Sequence, residues 1–457
     1  MIEEKDEKRD VSYDENQLIQ WLIDGDIDEF REHFLSLHAY DQAQFYEKVG
    51  PDIRKTMYHF LSPAEMAEIY EAIELDDEEI EHFIKEMDPT YAAEMLSCMY
   101  TDDVVDVLNE LDENDRDNFL ELMDEETAEE ISELLGYEKY TAGSLMTTEY
   151  VSIQENSTIR SAMNVLRKEA PNAETIYYIY VVDENHRLTG VLSLRELILA
   201  DEDTLLRDIM NDRVVYVKLT DDQEDIAQIF KDYNFVAVPV VDDQQVLQGI
   251  ITVDDIIDVI DEEASDDYSK LAGISDIDDI DASPLKAAKQ RLPWLVMLLF
   301  LGMITATLMG QFEATLEKVA LLALFIPLIS GTSGNSGTQA LAVVVRGIAT
   351  GEIDEKSKLK MIFREMGTGL ITGIACGLIV VGVVFLWKQS LMIGLLVGTA
   401  ICCSIFVATI AGSFIPLLIH KLGIDPAVAS GPFITTLNDI TSILIYLGLA
   451  TLLLGQI

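Results

Sequence analysis

Gly431-Pro432-Phe433-Ile434-Thr435-Thr436-Leu437-Asn438-Asp439 lies in an apolar run that covers residues 427–454. A run of that length can cross a hydrocarbon layer of ~30 Å at a helical rise of ~1.5 Å per residue. Asp439 is the one acid deep inside it. A carboxylate at that depth is costly unless it is wet or paired. Pro432, Thr435, Asp439, Ser442 and Tyr446 recur at the spacing of one helix stripe. Pro432 is also expected to leave the Val428 carbonyl without its usual amide partner. No basic residue occurs in the apolar cores, so a path for a cation is favoured over a salt-bridged structural acid.

Four further apolar runs precede this one, at 292–310, 319–349, 366–387 and 391–419. Five near-continuous runs cannot all be interior helices of one soluble core, so the expectation is five membrane spans. Lys286, Lys289 and Arg291 precede the first. Arg346, Lys356, Lys358, Lys360 and Arg364 separate the second from the third, and Lys421 precedes the fifth. Loop charge therefore places the N-terminus in the cytoplasm and the C-terminus outside. The second run contains Pro327 and then Ser330-Gly331-Thr332-Ser333-Gly334-Asn335-Ser336-Gly337-Thr338-Gln339. Ten small or polar residues cannot face lipid, and irregular backbone along a wet cavity is expected there. Close helix packing is the alternative. Gly369, Gly373 and Gly377 in the third run read as a helix-contact face.

The rest of the chain is acidic. Of 457 residues, 31 are Lys or Arg and 82 are Asp or Glu; residues 291–457 hold nine and eight of these, which leaves −52 on residues 1–290. Such a field repels nucleic acid and attracts cations. Four cysteines, three in apolar runs, form neither a disulfide framework nor a zinc site. The polar start implies no signal peptide.

Residues 137–262 contain a duplication. Val181-Val182-Asp183 and Leu188-Thr189-Gly190 recur as Val240-Val241-Asp242 and Leu247-Gln248-Gly249, 59 residues on. Each copy opens with a hydrophobic-Met turn (Leu145-Met146, Ile209-Met210) and a strand (150–153, 214–217), and closes with strand, turn and helix. This resembles a tandem CBS-domain pair. Ser193 with Glu196 and Thr252 with Asp255 match that family's ribose-contacting pairs. Residues 18–136 read as short amphipathic helices starting at Ser62-Pro63, Asp88-Pro89, Thr101, Asp112 and Asp124, which are N-cap signals; residues 1–16 are expected to be mobile. Eight carboxylates occur from Asp254 to Asp267 with no base before Lys270. Like charges at i, i+4 destabilise a helix, and oxygen-only sites that would screen them suit Mg2+ or Ca2+. Asp221, Asp222, Glu224 and Asp225 have a simpler reading as helix capping after Thr220. No EF-hand explains these acids, no His cluster or P-loop is present, and no enzymatic activity is expected.

The order of acidic helices, CBS pair, connecting helix and five spans, together with 327–339 and 431–439 and Arg291-Leu292-Pro293-Trp294, resembles the MgtE family of Mg2+ channels over essentially the full length. The resemblance implies a multidomain membrane protein: an all-α superhelical domain (1–136), an α/β tandem CBS pair (137–262), a connecting plug helix (263–290) and a five-helix α transmembrane domain (291–457). It implies a homodimer in the plasma (cytoplasmic) membrane, with Asp439, Thr435 and Asp425 on the Mg2+ path. Pro327, Gly331, Gly334, Asn335, Gly337, Gln339, Pro432 and Ser442 are expected to line the pore. Asp102, Asp106, Asp222, Glu224, Asp255, Asp258, Glu263, Asp266 and Asp267 match regulatory Mg2+ ligands. Ser193, Arg195, Glu196, Phe235 and Thr252 match a nucleotide site that would take ATP. The alternatives are a transporter of another divalent cation such as Co2+ or Mn2+, and a nucleotide-sensing receptor.

Overall fold

The computed structural model describes residues 15–73, 77–274, 283–353, 357–422 and 424–453. The chain forms two compact units, Met1–Ile257 and Asp258–Ile457.

The first unit begins with short helices running from Glu15–Asp24 to Glu125–Leu134. Their starts follow the side-chain chemistry of the sequence. Ser62 forms a capping box with Glu65, and Asp88, Asp112 and Asp124 accept from backbone amides of the helices they precede. At the remaining start Tyr100 is the cap and Thr101 the first helical residue. Apolar faces built on Phe30, Phe34, Phe45, Met57, Met66 and Met95 close the core. Inside it a bidentate ion pair, Arg54 to Glu86 at 2.8 Å, is buried on both sides. The expected mobility of residues 1–16 falls mostly outside the described residues; Glu15 and Asn16 begin the first helix.

The duplication gives two sheets of the same design. Strands β1 (Ser152–Gln154), β2 (Tyr178–Val182) and β3 (Leu188–Ser193) pair parallel and then antiparallel, as do β4 (Val217–Lys218), β5 (Ala237–Val241) and β6 (Leu247–Thr252). Each middle strand has a register shift at its last Val–Val step, Val181/Val182 and Val240/Val241. The opening strands are shorter and later than 150–153 and 214–217. The two copies interlock: Met146 of the first lies on Gly249 of the second, and Met210 of the second lies on Gly190 of the first. A Cβ on Gly249 would stand 2.6 Å from the Thr147 carbonyl oxygen, so glycine is required.

Among the described residues from 283 on, the second unit holds five long helices: α1 (Pro284–Gly310), α2 (Ile326–Ala349), α3 (Lys358–Lys388), α4 (Leu391–Lys421) and α5 (Gly431–Leu452). Four of them, α1, α3, α4 and α5, are long and apolar enough to cross a membrane. Helix α2 has 24 residues, which at ~1.5 Å each also suffice, but its small polar segment lowers its hydropathy. Gly373 and Gly377 bring α3 against α4, where added Cβ atoms would stand 2.8 and 2.7 Å from the carbonyls of Cys402 and Gly398.

Two expectations are corrected here. The single connecting helix over 263–290 is not formed. The helix Val253–Ala272 stops at Gly273, whose φ of +71° is the left-handed terminating conformation that glycine adopts without a Cβ penalty. Residues 275–282 lie outside the described residues. Ser283 then caps α1 with Pro284 in its first turn, so 284–290 belong to the first apolar helix. The irregular backbone expected at 330–339 is also absent: the segment is α-helical throughout. Two of its hydroxyls bond back to the helix, Thr332 to Leu328 O at 2.6 Å and Ser333 to Ser330 O at 2.9 Å, and Gly334 and Gly337 admit the neighbouring helix α5.

Candidate functional sites

In the second unit α2, α4 and α5 meet closely. Ser430 caps α5, and Pro432 sits in the first turn, where no amide is missed. The expected orphan carbonyl of Val428 is instead taken by the Ser430 amide at 2.7 Å. Half-buried Asp439 lies one turn past Thr435 and accepts a hydrogen bond from Ser330 Oγ of α2. The sequence offers no basic partner for this carboxylate; the hydroxyl of the small-residue segment supplies a neutral one. Thr435 packs on Gly334, whose Cβ would stand 2.9 Å from it. Gly337 faces Asn438 and Ile434.

The expected pore lining therefore divides. Pro327, Gly331, Asn335 and Gln339 form an exposed face of α2, whereas Gly334 and Gly337 are buried under α5. Ser442 is buried and donates to the Asp439 carbonyl at 3.0 Å. Tyr446 is also buried, donating to the Leu322 carbonyl at 2.9 Å, so the helix stripe below Asp439 is packing. Asn438, which the stripe had passed over, is 0% exposed, and neither polar atom of its amide has a hydrogen-bond partner among the described residues.

In the turn that precedes α5, Asp425 accepts from the Ala427 amide at 2.8 Å and pairs with Lys270 Nζ at 2.5 Å. Lys270 also pairs with Asp266. Burial works against its charge, but the bonds to Asp266 and Asp425 outweigh it and hold the ammonium above the usual lysine range. Burial, then the Asp425 charge, pushes Asp267 up to about 6.

In the first unit carboxylate oxygens of Asp102, Glu174 and Asp255 lie within 4.8 Å of one another. Asp102 projects from the Thr101–Asn109 helix and is 8% exposed. Asp255 opens the Val253–Ala272 helix and accepts from Thr252 Oγ1 at 2.6 Å. Glu174 comes from the loop before β2. Burial, then the charge of Asp255, raises Asp102 well above the carboxylate range and Glu174 to about 7. Asp103 rises to about 8 through burial and then Glu71. Three acids this close cannot all stay ionised in a shielded site without a cation. Asp106 lies one turn along from Asp102, outside this trio. Asp222, not Thr220, is the cap of the helix Gln223–Tyr233 and accepts from the Glu224 amide at 3.0 Å, as the capping reading requires. Asp258 is exposed and Glu263 partly buried on the Val253–Ala272 helix.

On the CBS pair, Ser193 and Glu196 form a capping box, with Oγ to Oε2 at 2.7 Å. Arg195 is exposed, Thr252 is buried and Phe235 stacks on Tyr233 at 5.2 Å. Between the last two, Asn234 adopts a φ of +54° as helix cap, a conformation Asn tolerates.

Residues 326–449 match the family model MgtE, described as a divalent cation transporter. Residues 37–140 match the MgtE intracellular N domain, and 142–203 and 206–262 each match the CBS domain. The chain is 52% identical over 435 residues to a magnesium transporter MgtE of Enterococcus faecalis, spanning 95% of this chain and 96% of that one. The chain belongs to the MgtE family. A Bacillus subtilis magnesium transporter MgtE is 37% identical across 97% of this chain and 98% of its own. Among solved structures, the soluble part of a magnesium transporter is similar at 53% identity and TM-score 0.54, covering 55% of this chain and 98% of that one. The cytosolic domain of the Mg2+ channel MgtE in complex with ATP is similar at 40% identity and TM-score 0.51, covering 54% and 99%. As an MgtE member the chain is a multidomain membrane protein with a helical N domain and a CBS pair.

Three side chains at these candidate sites were missed from sequence: Glu174, Lys270 and Ser330 as a partner of Asp439. The only sequence signal for Lys270 is its isolation, being the one base among the residues from 254 to 283.

Proposed function

We propose that the chain is a Mg2+ channel that admits the ion to the cytoplasm down its electrochemical gradient. The observation that carries this reading is Asp439, a carboxylate midway along an apolar helix, beside an α2 face that exposes Gly331, Asn335 and Gln339. Lipid disfavours such a face, whereas a second copy of the chain placed against it encloses a wet, negatively charged path. The reading thus includes a homodimer, five spans with α2 among them, and a cytoplasmic N-terminus. Mg2+ sheds water reluctantly, so it passes largely hydrated, held by Asp439 and the Thr435 carbonyl, with Asp425 at the cytoplasmic mouth. Two charges moving inward gain ~4.6 kcal/mol per 100 mV, so no chemical step is needed to drive them.

Cytosolic Mg2+ closes the path in this reading. The trio Asp102, Glu174 and Asp255 is a ready divalent site, and Asp106, Asp222, Glu224, Asp258, Glu263, Asp266 and Asp267 are further Mg2+ ligands in this reading. Bridging ions draw the acidic regions together, and their loss lets repulsion spread them. ATP at Ser193, Arg195, Glu196, Phe235 and Thr252 adjusts the same balance. The test is ion flux into liposomes containing the purified chain, with Mg2+ against Co2+, Mn2+ and Ca2+. Saturable Mg2+ entry that Asp439→Asn removes supports the reading. Equal entry through wild type and variant overturns it, and a preference for Co2+ or Mn2+ reassigns the cargo.

A further inference from the structure

We propose that Lys270 is a tethered cation that positions the mouth carboxylate Asp425 and latches the end of the Val253–Ala272 helix onto the membrane domain. The inference rests on the closing mechanism above and adds a residue to it. Lys270 is one base among twelve acids in residues 254–283, yet its ammonium reaches 155 residues along the chain to Asp425 at 2.5 Å. The contact is built on both sides. Asp425 is fixed by the Ala427 amide, and Asp266, one turn before Lys270, holds the same ammonium. The next residue, Leu271, packs with Leu341, Val345, Ala427 and Ile434. A Cβ on Gly431 would stand 3.2 Å from the Leu271 carbonyl, and one on Gly273 would stand 3.4 Å from Pro432. The helix end is therefore seated against the start of α5, two turns before Asp439.

One ammonium cannot neutralise Asp266, Asp267 and Asp425 together. The lysine supplies the first charge that docking needs, and a divalent ion supplies the remainder. An arginine can serve at this position, whereas a neutral chain of equal length keeps the packing and loses the latch.

The full chain is reconstituted in liposomes and inhibition of flux by Mg2+ on the cytoplasmic face is titrated for wild type, Lys270→Met and Lys270→Arg. The Met variant is expected to need about two- to fivefold more Mg2+ for half-closure, the range of a partly exposed ion pair. The Arg variant should restore the wild-type midpoint, which a purely structural role for the aliphatic stem would not demand. An unchanged or lower midpoint in Lys270→Met, beside normal inhibition of wild type, overturns the latch alone. Wild-type flux indifferent to cytoplasmic Mg2+ overturns the closing mechanism and the latch together. If the Met variant does not fold, carbodiimide coupling of the wild type in Mg2+ decides. An amide joining Lys270 to Asp425 supports the contact, and coupling to Asp266 alone overturns it.

Discussion

Asp439 owes its place to two helices: α5 sets its depth and Ser330 of α2 sets its direction. Asp439→Asn keeps a carbonyl oxygen for that hydroxyl and removes only the charge. Mg2+ flux should fall at least about tenfold while the protein still elutes normally, since the proposed cation site would lose its counter-charge; unchanged flux would remove Asp439 from the path. The α2 segment allows a sharper separation. Gly334→Leu drives a branched chain into Thr435, and overpacking of this kind costs about 1–3 kcal/mol. Its expected result is a lower yield of folded protein. Asn335→Leu lies on the exposed face and should block flux at normal yield. Equal yields and equal flux for the two would mean that the segment has no two-sided role. Asp439 was legible in the sequence because its type is wrong for its surroundings. Glu174 was not, because its neighbours Asp102 and Asp255 are 72 and 81 residues away and its own loop has no periodicity to place it.

At the scale of elements, the Thr101–Asn109 helix meets the start of the Val253–Ala272 helix through acids whose burial and mutual repulsion favour their protonated forms. Unfolded carboxylates titrate near ~4. Asp103 is pushed up to about 8 and Glu174 to about 7. Between those limits the folded chain binds more protons than the unfolded one, so stability falls as pH rises through the window. Without divalent ions, protease resistance of the acidic part should decline from pH 6 to pH 8.5, and millimolar-range Mg2+ should abolish the decline. A flat profile in the absence of metal would show that these acids do not carry the contact. Helix starts at Ser62, Asp88, Asp112 and Asp124 were readable because capping is local chemistry. The end at Gly273 was not: the resemblance implied one connecting helix over 263–290, while a single residue free to take positive φ stops the helix there.

For the whole molecule, the charge partition remains the dominant fact: −52 on residues 1–290 and almost none on the rest. Removing residues 1–262 deletes most of that field and the Asp102 site but keeps Lys270 and every long apolar helix. The shortened chain should still conduct and should lose most of its closure by cytoplasmic Mg2+. Unaltered dose dependence in liposome flux would move the sensor to the membrane domain, with Asp425 first to be tested. This partition was legible because it is additive over residues. The polar helix α2 was harder: composition signalled that 330–339 is special but not that helical packing, rather than loose backbone, accommodates it.

The crossed contacts of Met146 on Gly249 and Met210 on Gly190 also fix an order of events during synthesis. Met146 leaves the ribosome 103 residues ahead of the glycine that receives it. At about 5–20 residues per second, that leaves its apolar turn uncovered for about 5–20 s. The first repeat is thus an unfinished half whose surface only its own sequel can cover. A ribosome stalled between the two copies would hold out a sticky fragment, and the acidic helices already made would be its chief protection against aggregation.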